Sequence, residues 1–177
     1  MELHGTRLSR IIDPLLTRIG HAISWLWLLL MVTIVGNVFL RYALDEGRVE
    51  FEEFQWHIYS CGFLLGLAYA YQADAHIRVD VLHERLSERA QAWIELYGIL
   101  LFLLPFIILI LIFSVPFVLV SLQLNEVSQA PGGLPFRWLI KAALPVGFSL
   151  LLLATISRLS RVWSFLFQTT GATYGSE

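Results

Sequence analysis

The chain has 177 residues, of which 57% are hydrophobic and 15% charged, with a formal net charge of -2 and a mean hydropathy of +0.69. Soluble domains carry about 25% charged residues, so the composition excludes an ordinary water-soluble domain, and the near-neutral balance excludes the positive field of a nucleic-acid binder. The one cysteine, Cys61, sits within an apolar stretch without a partner in the chain and reads as an inert buried thiol.

Four apolar stretches dominate the rest: Ala22–Leu40, Gln55–Ala73, Leu96–Leu124 and Leu139–Leu153. Each reaches or approaches the roughly 20 helical residues needed to cross about 30 Å of hydrocarbon. The fold class predicted is therefore an all-α integral membrane protein with four transmembrane helices. The spans are expected near residues 18–42, 54–73, 94–124 and 138–163, within a single membrane domain covering residues 1–177.

The N-terminal segment places Leu8, Ile11, Ile12, Leu15 and Ile19 on one helical face, which predicts a surface helix over residues 4–13. Asp13-Pro14 has the form of an N-cap followed by proline at the first helical position. The apolar run that follows is too long for a signal-peptide core and lacks a small-x-small cleavage site, so the first span is expected to remain as an anchor. Span two carries Gly62, Gly66 and Ala70, a small-xxx-small ladder that suits close helix packing, within the subunit or against another one. A second amphipathic helix is predicted over residues 78–91, with Val79, Leu82, Leu86, Ala90 and Trp93 on its apolar side. Span three contains Pro105 and Pro116, which predicts a tilt or a kink. Gln129 to Pro135 is a turn segment rich in proline and glycine.

Arginines set the expected orientation. Arg7, Arg10, Arg18, Arg78, Arg85, Arg89, Arg158 and Arg161 fall on one side, the last two assigned to the C-terminal tail. Arg41, Arg48, Arg137 and Lys141 fall on the other. By the positive-inside rule the first side, with both termini, is cytoplasmic. Trp25, Trp27, Trp93 and Trp163 are placed near that surface, Trp56 and Trp138 near the opposite one, as an aromatic belt would be.

Chemistry-bearing groups are sparse. Between residues 22–40, 58–73, 96–124 and 142–157 there is no Asp, Glu, Lys, Arg or His. An autonomous ion-coupled carrier would show polar groups near the bilayer midplane. No nucleophile–base pair, phosphate loop or metal-spaced cysteine set is present, which argues against an enzyme. The histidines (His4, His21, His57, His76 and His83) keep a haem reading open, with His21 and His76 the pair at matched depth. His76, Asp80 and Glu84 at i, i+4 and i+8 could likewise line a metal site, although solvated charges belong on that face too.

Three stretches together resemble the DctQ-type small membrane subunit of tripartite ATP-independent periplasmic (TRAP) transporters. The first is Arg41-Tyr42, then Glu52-Glu53 and Trp56. The second is Gly62-Phe63-Leu64-Leu65-Gly66 leading into His76-Ile77-Arg78-Val79-Asp80. The third runs from Asn125-Glu126-Val127-Ser128 through Pro131-Gly132-Gly133-Leu134-Pro135 to Arg137-Trp138-Leu139-Ile140-Lys141 and Pro145-Val146-Gly147-Phe148. The resemblance implies a multi-pass protein of the bacterial inner membrane, with two partners: a large permease subunit and a periplasmic substrate-binding protein. It implies sodium-driven uptake of an organic acid such as a carboxylate or keto acid. The sodium sites would lie in the large subunit, no cofactor would be held here, and this chain would act as scaffold among membrane lipids.

On that view Gly62, Gly66 and Ala70 pack helices. Arg41, Glu52 and Glu53 organise the outer ends of spans one and two and meet a partner. His76, Arg78 and Asp80 cap the inner end of span two, and Glu126, Arg137 and Lys141 form an outer polar cluster. Two other readings stay open: a haem-binding anchor subunit of an oxidoreductase, and a small carrier or channel working alone as a homo-oligomer.

Overall fold

The computed structural model describes residues 5–45, 47–75 and 86–167, and among them every regular element is helical. Helix α1 runs Ser9–Ala43, α2 Val49–Gln72, α3 Glu88–Gly98, α4 Leu104–Gln123 and α5 Arg137–Phe167, with a π-helical turn at Ile99–Leu103 joining α3 to α4. Their polarity alternates along the chain, so α1 and α2 form one antiparallel hairpin, and the α3–α4 stretch and α5 form another.

Local chemistry accounts for the boundaries. At the start of α1 the Thr6 backbone N–H donates to Ser9 Oγ at 2.9 Å and the Ser9 N–H donates to Thr6 Oγ1 at 3.2 Å, a reciprocal cap. That cap sets the helix start upstream of Asp13-Pro14, and Pro14 lies inside α1. Among the described residues no separate surface helix precedes α1: residues 9–13 of the expected 4–13 segment open this 35-residue helix. Of the second expected surface helix, residues 86–91 fall in the described chain: Leu86 and Ser87 precede α3, residues 88–91 are its first turn, and the Ser87 hydroxyl caps it by accepting from the Ala90 N–H; residues 78–85 lie outside the described residues. Three helix ends are closed by a residue with positive φ: Asp45 after α1 (φ 54), Asp74 after α2 (φ 56) and Asn125 after α4 (φ 45). Asp and Asn tolerate the left-handed region better than other non-glycine residues, so they stop these helices where glycine commonly would.

Span three was expected to bend at proline. The structure places its irregularity immediately before Pro105, where the Leu104 N–H bonds to the Ile99 carbonyl five residues back. Proline has no N–H and its ring crowds the carbonyl four residues earlier. Widening one turn to π spacing relieves that conflict without ending the helix.

Helix α5 is the hub. It packs against α2, α4, α1 and α3, whereas α4 has no substantial contact with α1 or α2. The main core joins Ile12 and Leu16 of α1, Ala68 of α2, Ile107 of α4 and Phe148, Leu151 and Ala154 of α5. A second core at the α3 end joins Ala92 and Leu96 to Val162 and Leu166. Outside these cores the helices present large apolar side chains, among them Met31, Val35 and Phe39 on α1 and Phe106, Ile112 and Phe113 on α4. Such surface is stable only against lipid or a partner.

Three helical stretches are long and apolar enough to cross a bilayer: Ser9–Ala43, Glu88–Gln123 and Arg137–Phe167. Helix α2 differs from the other expected spans. Its 24 residues would reach about 36 Å at 1.5 Å per residue, yet Gln55, His57, Tyr59, Ser60 and Gln72 dilute its apolar character. It lies between α1 and α5, so protein rather than lipid covers two of its sides. Two tryptophans also move. Because α1 begins nine residues upstream of the expected span, Trp25 and Trp27 stand well inside it, and Trp27 packs on Tyr59 and Gly62, away from the end that holds Trp93 and Trp163. Those two meet through Phe167, at ring separations of 5.9 and 4.4 Å.

Candidate functional site

The charges of the described residues collect at the two ends of the bundle, and each end is built differently. At the end holding the α1–α2 and α4–α5 connections, Arg41 at the end of α1 pairs with Glu52 in the first turn of α2. Both side chains are about half exposed, at 54% and 45%, and such pairs contribute at most about 1 kcal/mol. Their neighbour Glu53 has a different task. Its carboxylate accepts from the Ser128 hydroxyl and, at 2.6 Å, from the Leu134 N–H, so one side chain of α2 clasps both limbs of the 124–136 loop.

The loop is shaped to be clasped. The Gly133 N–H donates to the Ala130 carbonyl at 2.9 Å, closing a turn with Pro131 and Gly132 at its corners. Gly132 has φ 77, the conformation that the third position of a type II turn requires. The Ser128 N–H returns to the Leu134 carbonyl at 3.2 Å, bringing the limbs together. Behind the loop, Glu126 pairs with Lys141, whose ammonium sits 4.1 Å above the Phe117 ring. The Lys141 ammonium, with the charge of Arg137 behind it, holds the Glu126 carboxyl below the usual carboxylate range. The Arg137 N–H donates to the Glu126 carbonyl at 3.1 Å. Phe136, just before it, has φ 61 and an exposed ring, an uncommon conformation for a bulky residue. A recess of about 230 Å³ opens between Glu53, Trp56, His57, Ser128 and Arg137.

The predicted residues therefore sort as follows. Glu126, Arg137 and Lys141 come together as one cluster; Arg41 and Glu52 form a separate exposed pair; Glu53 joins α2 to the loop. His76, Arg78 and Asp80 lie outside the described residues. In the small-residue ladder, Gly62 receives the Trp27 ring at about 3.4 Å from where a Cβ would stand, and Gly66 faces open space. The ladder lines an open groove between α1 and α2. Close approach happens elsewhere. A Cβ on Gly147 would lie 2.5 Å from the Leu64 carbonyl oxygen, so α5 and α2 touch backbone to backbone there.

The opposite end holds a cluster that the sequence reading had dispersed. Arg158 and Arg161 are not tail residues; they belong to the last turns of α5. Arg158 is buried and bonds to Glu95 of α3 through Nε, with Asp74 beyond the end of α2 at 3.6 Å. One turn away, Asp13 of α1 accepts from the Ser157 hydroxyl at 2.6 Å and faces Arg161 at 3.7 Å. These contacts tie α1, α2 and α3 to α5. The available signal was Glu95, an acidic residue at the mouth of the most apolar span, which calls for a cationic partner.

The described histidines are far apart. His21 packs edge-on against Tyr69, whereas the Nδ1–H of His57 donates to the Glu53 carbonyl at 2.6 Å. Twelve residues of α2 separate those two levels, about 18 Å along the axis. Among the described residues no group of three His, Cys, Asp or Glu side chains could hold a metal.

Because Glu53 holds both limbs of the loop, Glu53→Gln removes one acceptor oxygen and leaves Ser128 or Leu134 unbonded. In detergent-solubilised protein this change is expected to speed trypsin cleavage after Arg137 several-fold relative to Glu52→Gln. Equal rates for the two variants would remove Glu53 from this role.

The geometry is that of a membrane bundle polar only at its ends, with a built loop at one of them. Comparison with known families agrees with the resemblance noted in the sequence. Residues 30–165 match the family described as tripartite ATP-independent periplasmic transporters, DctQ component. Neither curated proteins nor solved structures gave a match. The matched region begins within α1 and runs through α2, α3 and α4 into the last turn of α5; this multi-pass membrane protein belongs to the DctQ family and is the small permease subunit of a TRAP transporter.

Proposed function

We propose that this subunit is a fixed brace for a larger permease subunit, in sodium-driven, binding-protein-dependent uptake of an organic acid of the carboxylate or keto-acid class. The observation that carries the reading is the distribution of charge. Residues 22–40, 58–73, 96–124 and 142–157 hold no Asp, Glu, Lys, Arg or His, and Arg41, Lys141, Arg158 and Arg161 at the helix ends are each paired with a carboxylate. A solute or ion crossing the bilayer needs polar groups at depth, so the crossing belongs to another subunit. The broad apolar surface of α1 and α4 supports the same view, since a brace needs area to grip.

In this proposal both termini are cytoplasmic, by the arginine bias, and the 124–136 loop faces the periplasm beside the binding protein. Glu126, Arg137, Lys141 and Glu53 then present a shaped platform, and Arg41 and Glu52 flank it. Gly66 and Ala70, open in the isolated chain, supply the close-packing face for the large subunit.

Reconstitution tests this directly. Vesicles holding this chain alone are expected to take up no carboxylate, whereas vesicles with the large subunit, given the binding protein and an inward sodium gradient, accumulate it. Uptake by this chain alone, or undiminished uptake when it is omitted, would overturn the proposal. A Soret band in the purified chain would favour the oxidoreductase anchor instead.

A further inference from the structure

At the end of the bundle away from the 124–136 loop, the N-terminal turn leans on the last helix and leaves an open groove of about 710 Å³. One wall carries Arg7, Leu8 and Arg10; the other carries Ile156, Leu159 and Trp163. A hydrogen bond of 2.7 Å between the Thr6 and Ser160 hydroxyls joins the walls at the floor.

Two features of the groove call for a ligand. The first is charge. Arg41, Arg158 and Arg161 are all engaged in ion pairs, but Arg7 and Arg10 enter none among the described residues, and both are exposed. Arg7 lies in the turn before α1 and Arg10 in its first turn, and both line the groove. The second is an apolar track. From Trp163, Ile156, Leu153 and Val146 follow at intervals of seven, three and seven residues, all exposed on the same side of α5. At 1.5 Å per residue that track is about 25 Å long, close to one leaflet and more.

A ligand that satisfies both must carry a phosphate-like anion at one end and long hydrocarbon at the other. Guanidinium groups bind phosphate oxygens in bidentate fashion, and an indole at the groove mouth matches the headgroup level. A soluble anion would leave the track uncovered. An apolar partner helix would cover the track and strand two guanidinium groups without a counter-charge. We infer that the groove between residues 5–10 and the end of α5 is a binding site for one anionic phospholipid, its phosphate held by Arg7 and Arg10 and its acyl chains laid along Trp163, Ile156, Leu153 and Val146.

The test is native mass spectrometry of the full chain in detergent, titrated with dioleoyl phosphatidylglycerol, dioleoyl phosphatidylcholine or inorganic phosphate. The first phosphatidylglycerol is expected to bind about tenfold more tightly than phosphatidylcholine, and the Arg7→Gln/Arg10→Gln double variant to bring the two within about twofold. Arg18→Gln, which removes a charge outside the groove, retains the preference. Undiminished phosphatidylglycerol binding by the double variant would overturn the site. So would an equal loss with Arg18→Gln, which would mean diffuse attraction, or displacement of the lipid by equimolar phosphate, which would mean a small-anion site. Loss of the lipid when the large subunit binds would make this face a protein interface and sink the inference as well.

Discussion

Replacing Arg158 by methionine is expected to destabilise the bundle by about 3 kcal/mol, the lower end of the range for breaking a buried ion pair. The lower end applies because Asp74 is 45% exposed and keeps part of its hydration, whereas Glu95 is only 17% exposed. Methionine fills much of the volume, so the loss reflects a carboxylate left without its cation rather than a cavity. The Glu95→Gln/Arg158→Met double variant is expected to recover part of the loss, since it leaves no buried charge unpaired. Thermal unfolding in detergent reads both. A single variant within about 1 kcal/mol of the parent, or a double variant worse than the sum of its parts, would show that the Arg158 cluster does not hold the helix ends together.

The second large effect is expected at Gly147. A methyl there would stand 2.5 Å from the Leu64 oxygen and 2.8 Å from its carbonyl carbon. Both are backbone atoms of a helix packed on its other side by α1, so no rotamer change relieves the overlap; α2 and α5 must part. Gly147→Ala is expected to cost about 1–3 kcal/mol and Gly147→Leu more, enough to broaden or abolish the monodisperse peak in size-exclusion chromatography. Gly66→Ala is the control, with nothing within 4 Å of its added methyl. It should leave the isolated chain unchanged and, if α2 docks there on the large subunit, weaken copurification of the pair. Equal melting of Gly147→Ala and the parent would rule out the backbone contact as a determinant of packing.

These two sites show what could and could not be read in advance. The ladder Gly62-xxx-Gly66-xxx-Ala70 is visible because its spacing is local, yet the backbone-to-backbone approach of α2 and α5 uses Gly147, whose one small neighbour at that spacing is Ala143. Whether a small residue meets a neighbour depends on how each helix is rotated about its axis, which hydropathy does not report when all faces are apolar. Arg158 and Arg161 were assigned to a tail because they follow an apolar stretch; their carboxylate partners lie 63 and 148 residues away in the chain. Asp13 seemed a helix cap because Pro14 follows it, and the reciprocal Thr6–Ser9 cap prevailed by satisfying two N–H groups instead of one.

Residue order alone determined the class of molecule. Runs of apolar residues must form helices in a bilayer, because every backbone polar group there needs an internal partner. Charges had to collect at the ends, and Pro131-Gly132 had to turn. Tertiary structure decided which carboxylate found which cation, that Glu53 rather than Glu52 holds the loop, and that α5 rather than α2, with its small-residue ladder, became the hub. Those outcomes turn on axial register and helix rotation, which long-range packing sets and no local pattern encodes.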